Sequence, residues 1–240
     1  FVKPQGPITP EEFNKLPIIE IVQNLRNEWS PAKLKEKYKK DDDFLRPKNA
    51  EGVENLLLND IPKRLQDYVS NANLFFEKNT LHPHYTYSFL RGIQEAIKNN
   101  REPAFKINWD GIISMFLAIK EVGEKEGFKR IRREEDYHWL GRWNTVHLAI
   151  TDVLQELLNE RDGYVVVDFD KYRTEIFSIL KYLLSNPDPA PADEEIETAK
   201  IKIKSSGKED YRVSNPLTIA INSVRGRAFE AFVSFIYQDS

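Results

Sequence analysis

Six apolar residues, Trp139, Trp143, Val146, Ile150, Val153 and Leu157, alternate four and three positions apart. That spacing puts all six on one stripe of an α-helix but scatters them over both faces of a strand, so it dictates a long amphipathic helix. The same rule recurs along the chain. Thr9-Pro10-Glu11-Glu12 supplies an N-cap, a proline at the first helical position and a glutamate three residues after the cap. Ile18, Val22, Leu25 and Trp29 then follow at helical spacing, and Ser30-Pro31 opens another helix with Leu34 and Tyr38. Asp41-Asp42-Asp43 and Pro47 make a loop.

Val53, Leu56 and Leu57 mark a short helix leading to Asp60-Ile61-Pro62, after which Ile61, Leu65, Tyr68, Ala72 and Phe75 predict one longer helix. Phe89, Ile93, Ala96 and Ile97 predict the next, entered at His82-Pro83. Asn108 caps a helix carrying Trp109, Ile112, Phe116 and Ile119, and Asp168 caps one with Phe169, Tyr172, Ile176, Ile179 and Leu183 facing inward. Tyr164-Val165-Val166-Val167 has strand character but is too short and isolated to begin a sheet. The expected fold is therefore all-α: an irregular multihelical array of antiparallel helix pairs over 1–185, an α-solenoid of the HEAT or armadillo kind. Repetition is faint. Arg-Gly followed by Glu-Ala occurs at Arg91-Gly92 and at Arg225-Gly226, but one residue of offset turns the glutamate by about 100° around the helix. Residues 186–214, rich in Pro and Asp, predict an extended connection, and 215–240 a buried terminal helix packed on the same array.

Composition narrows the function. The 35 Lys and Arg nearly balance the 38 Asp and Glu, and the net charge of -3 gives no general attraction to nucleic acid or an anionic membrane. There are no cysteines, which excludes disulfides, thiolate nucleophiles and Cys-type metal sites and favours the cytoplasm. The longest apolar run, residues 112–119, falls far short of the roughly 20 residues of a membrane span. The first residues lack an initiator Met and a signal-peptide layout, as expected of a piece of a longer protein.

Chemistry-bearing motifs are sparse. His82, His84, His138 and His147 have no convergent ligand spacing, and an exposed helix N-terminal turn is the expected setting for His82-Pro83-His84. Asp41-Asp42-Asp43 and Glu134-Glu135-Asp136 lack the spaced ligands of a calcium loop. No phosphate-binding glycine loop and no nucleophile elbow occur, so the expectation is no enzyme, no metal and no cofactor. Lys129, Arg130, Arg132 and Arg133, with Tyr137, Trp139 and Trp143 nearby, are the candidate nucleic-acid contacts.

The last predicted helix, from Asn215 to Phe232 and beyond, is apolar nearly all round. At 100° per residue, Leu217, Ala220, Ile221, Val224, Ala228, Ala231, Phe232 and Phe235 form one face, and Ile219, Phe229, Val233 and Tyr237 a second. Arg225 and Arg227 stand about 200° apart and cannot grip one ligand. They are expected to make structural ion pairs to neighbouring helices around Gly226, with Glu230 one partner for Arg227.

The stretch from Asn215-Pro216-Leu217-Thr218 to Ala231, preceded by its Pro- and Asp-rich connection, resembles a segment in the helical C-terminal regions of large prokaryotic proteins. Some of these resemble signal-transducing ATPases of the defence type. With no ATPase motif present, the resemblance implies an accessory or sensor region. The sequence thus predicts a non-catalytic helical scaffold or recognition region that contacts other domains of its parent or a protein partner. The alternative is a nucleic-acid-binding module using 129–133.

Overall fold

The computed structural model describes residues 2–39, 45–76, 81–99, 106–126, 142–160, 165–187 and 223–240. Its helices are α1 (Pro10–Phe13), α2 (Ile18–Arg26), α3 (Pro31–Lys37), α4 (Ala50–Asp60), α5 (Leu65–Ser70), α6 (Pro83–Asn99), α7 (Asp110–Glu126), α8 (Trp143–Leu158), α9 (Phe169–Leu184) and α10 (Val224–Gln238). The described residues hold no strand, and the fold is all-α. Val166 and Val167 are buried beneath the end of α8, with the Val167 amide donating to the Leu157 carbonyl.

Side chains fix where these helices begin. The Thr9 hydroxyl accepts from the Glu12 amide while the Glu12 carboxylate accepts from the Thr9 amide, a reciprocal pair that satisfies two donors no helical carbonyl can reach. Asn49 caps α4 through the Gly52 amide, Asp168 caps α9 through Lys171, and Asn108 accepts from Asp110 at the start of α7. α8 begins at Trp143; Trp139 lies outside the described residues.

Two expected helices are broken. Pro17 separates α1 from α2, because it has no N–H to give and restricts the residue before it. The single helix expected over 61–75 is three pieces: a 3₁₀ turn at Ile61–Lys63, α5, and a second 3₁₀ turn at Ala72–Phe75. Its five marker residues are nonetheless all buried, since a spacing of three to four suits a 3₁₀ turn as well as an α-helix. Arg64 breaks the first junction with φ -128° and ψ 37°, its guanidinium drawn to the Asp60 carboxylate and the Leu16 carbonyl.

Packing runs in two rows. α4 packs on α6, α6 on α8, and α8 on α10; α5 packs on α7, and α7 on α9. α9 contacts both α8 and α10, and the second 3₁₀ turn touches α6 and α7, so the rows meet over one core. Phe75 and Phe89 stack there with ring centroids 4.1 Å apart. The N-terminal segment is stitched to the start of α4 by an isolated parallel bridge between Gln5 and Lys48.

Close approach at Gly111 brings α5 and α7 together: a Cβ at this position would run into the Val69 carbonyl oxygen. Gly111→Ala is expected to lower stability by about 1–3 kcal/mol, the overpacking cost, despite alanine's better helix propensity. Urea denaturation measures it, and an unchanged or raised midpoint would show that the two helices separate freely.

Candidate functional site

Helix α10 concentrates the features that the rest of the fold leaves unexplained. Ser223 caps it, its hydroxyl accepting from the Gly226 amide at 3.0 Å. The helix thus starts at Val224, and Gly226 sits in its first turn rather than at mid-helix. Residues 215–222 lie outside the described ones, as do the 188–214 part of the connection, the Asp41-Asp42-Asp43 run and His138.

The inner face of α10 carries Val224, Ala228, Ala231 and Phe235, all buried, and the two alanines let the backbone come close to α8 and α9. Polar contacts edge it. Arg227 reaches across to Asp152 on α8 at 2.8 Å, so its partner is that residue and not Glu230, which is exposed. Burial raises the Asp152 pKa while the Arg227 charge pulls it back down. The Ser234 hydroxyl donates to Asn159 at 2.8 Å, and Asp239 pairs with Arg173 on α9 at 2.5 Å. Phe169 and Phe177 of α9 meet Phe232 and Phe235 in an aromatic seam, with Phe235 5.1 Å from Phe169 and 5.8 Å from Phe177.

Among the described residues nothing covers the outer face. Phe229, Val233, Ile236 and Tyr237 are 58%, 43%, 50% and 80% exposed, against 5% for Phe235 on the opposite face. Phe177 extends this stripe onto α9 at 46% exposure. Arg225 is exposed in the first turn at the stripe's N-terminal end. The angular layout of the sequence separates the two faces but leaves out Ile236 and misses Phe177, whose signal is an aromatic lying about 100° off the inward stripe of its own helix.

Other polar clusters are internal. Asp60 is fully buried and accepts from Arg64 and from the Tyr68 hydroxyl. His84 is buried, not exposed as its place beside Pro83 suggests: Glu54, at 3.6 Å from its Nε2, comes from α4, which packs against the start of α6. Burial, helped by His82, lowers the His84 pKa to about 4, and burial raises that of Glu54 against the pull of Arg91. His147 lies 3.0 Å from the Tyr182 hydroxyl, its pKa likewise lowered to about 4 by burial. On the surface, Asp110 accepts from Lys171 and Tyr172, contacts that lower its pKa to about 2. These contacts tie helices together. Among the described residues no group of three or more His, Asp or Glu could hold a metal ion, and no helix is long and apolar enough to cross a membrane. Lys129, Arg130, Arg132 and Arg133 lie outside the described residues.

No protein-family model matches the chain, nor does any curated protein or solved structure.

Proposed function

We propose that this chain is a non-catalytic helical scaffold or recognition region of a larger protein, built as an α-solenoid and acting through protein–protein contacts. The observation that carries this reading is the apolar stripe of α10 and Phe177. Large side chains in water gain roughly 25 cal/mol for every Å² they bury, so a contiguous stripe on an otherwise well-packed helix is held ready for a protein surface. Its inner face is anchored by Arg227–Asp152 and Ser234–Asn159, which gives a partner a rigid platform. The solenoid part of the reading is supported by the two rows of packing, in which the helices from α4 to α10 stack on those two places along the chain.

A photo-reactive side chain at Phe229 tests the reading in the protein expressed in its own host. We expect a covalent adduct to one defined protein surface, identified by mass spectrometry, that disappears when Val233→Glu is added. The same probe at exposed Ala32 on α3 is expected to give none. Equal adducts from both positions, or none from Phe229, would remove the stripe as a contact surface.

A further inference from the structure

We infer that α10 is a latch: it undocks from α8 and α9 as a unit while the rest of the core stays folded, and the apolar stripe shared with Phe177 is assembled only while it is docked. The inference rests on the recognition reading above and gives that surface its regulation. It follows from how the helix is held.

Its share of the core is small. Four of its fifteen residues are buried, Val224, Ala228, Ala231 and Phe235, whereas α6 buries ten of seventeen and α8 ten of sixteen. Two of those four are alanines, whose methyl groups withdraw little apolar surface from water. An element with so few buried apolar groups opens ahead of global unfolding.

Nor does the sequence of α10 sustain a helix by itself. The first turn carries Arg225 and Arg227 and no acid, and the last turn carries no base, so neither end favours the helix dipole. Gly226 adds backbone freedom to the unfolded segment. Phe229, Phe232, Val233, Phe235, Ile236 and Tyr237 are aromatic or β-branched, types that give up side-chain freedom on entering a helix. Docking and helix formation are therefore one event, and the segment opens as a unit.

Polar ties along the seam set the docked position. Arg227 meets Asp152 of α8, Ser234 meets Asn159 beyond the end of α8, and Asp239 meets Arg173 of α9. The Arg227 and Asp152 side chains are 36% and 23% exposed, so water replaces their contact when the helix lifts. Docked, α10 is a platform; the seam that anchors it is also what releases it. Opening separates Phe177, which stays on α9, from Phe232 and Phe235 at 6.4 and 5.8 Å, and breaks the stripe in two. A partner that grips both helices binds the docked form alone and draws the population toward it.

Because the chain has no cysteine, single introduced thiols report opening directly. Ala228→Cys puts a thiol on the docked face of α10, and Ala96→Cys puts one in the core on α6; the alanines are 0% and 1% exposed. A maleimide dye is expected to label position 228 about a hundredfold faster than position 96 in the folded chain. The rate at 228 should barely rise with urea below the unfolding transition, while the rate at 96 climbs steeply, because only the second requires the whole core to be exposed. Adding Arg227→Met should speed labelling at 228 about five- to tenfold and leave 96 unchanged. Hydrogen exchange of the unaltered chain excludes loosening by the thiol itself: amides of residues 228–237 should exchange about a hundredfold faster than those of 88–97. Equal labelling at the two positions with one urea dependence, exchange in α10 no faster than in α6, or no acceleration by Arg227→Met would each overturn the inference. None of these readouts involves a partner, so the latch can fail with the contact stripe intact, and a Phe229 probe that captures nothing leaves the opening of α10 standing.

Discussion

Asp60→Ala is expected to lower the stability of this chain by about 3–5 kcal/mol, a large part of the 5–15 kcal/mol that holds a typical domain together. The carboxylate is fully buried at the end of α4 and gathers three elements. Its Oδ2 accepts from Arg64 Nε at 3.0 Å, again from the same guanidinium through Nη2, and from the Tyr68 hydroxyl at 2.6 Å. With its amide turned to donate, Asn14 reaches the other oxygen at 2.8 Å. Arg64 Nη1 meanwhile donates to the Leu16 carbonyl at 2.8 Å, so a single charge pair links α4, α5 and the segment between α1 and α2. Alanine would leave the guanidinium and the Tyr68 hydroxyl facing a void with no acceptor, and stranding one partner of a buried pair costs more than the pair itself contributes. Asp60→Asn should also be damaging, because it leaves the Arg64 guanidinium without its opposite charge. Urea denaturation at neutral pH measures both variants. A double-mutant cycle with Tyr68→Phe should show coupling of about 0.5–3 kcal/mol, as for residues sharing one network. A loss below 1 kcal/mol for Asp60→Ala would mean that the network is not what joins these elements.

Neither Asp60 nor Glu54 stands out in the sequence, and the reason is physical. Periodicity reports where apolar side chains recur, so it finds Phe89, Ile93, Ala96 and Ile97 of α6 and the buried Val146, Ile150, Val153 and Leu157 of α8. Local chemistry is equally legible: Thr9 and Asp168 act on amides three residues away, within reach of any reading of neighbours. Glu54, by contrast, is made tolerable by a cation from another element, whereas Asp60 meets Arg64 only four positions on, a pair whose burial the spacing does not show. Arg91 lies 37 positions from Glu54, and no spacing rule connects them. The exchange of Glu230 for Asp152 as the partner of Arg227 has the same origin, since a neighbour one turn away is visible in sequence and one 75 positions away is not. The two faces of α10 follow from angles alone. That the described residues leave the second face exposed depends on where α8 and α9 happen to lie.

Acidification from pH 7 to pH 4 is expected to remove about 3 kcal/mol of stability through His147 alone. Burial holds its folded pKa down at about 4, against an ordinary value of 6.5, with a hydrogen bond to the Trp143 backbone pulling weakly the other way. Between those two values the unfolded chain binds a proton that the folded chain refuses. The stability contribution is therefore complete above pH 6.5 and is lost as pH falls toward 4, at about 1.4 kcal/mol for each unit of separation. His84 works in the same direction over the same window. Glu54 and Asp152 oppose it: their carboxyl pKa values are raised by burial, so the folded state takes up their protons first as pH falls and gains stability by doing so. The net slope of the unaltered chain is thus a difference, but comparison with one variant isolates a single term. His147→Gln keeps a hydrogen-bonding group beside the Tyr182 hydroxyl, which stays protonated throughout because burial pushes its pKa up to about 12. The variant should be less stable than the unaltered chain at pH 7, and the gap should close by about 3 kcal/mol on going to pH 4, because glutamine has no proton to take up. Guanidinium midpoints measured across that range decide it. Parallel curves for the two proteins would show that His147 titrates alike in the folded and unfolded chains, and that the packing of α8 against α9 does not exclude its charged form.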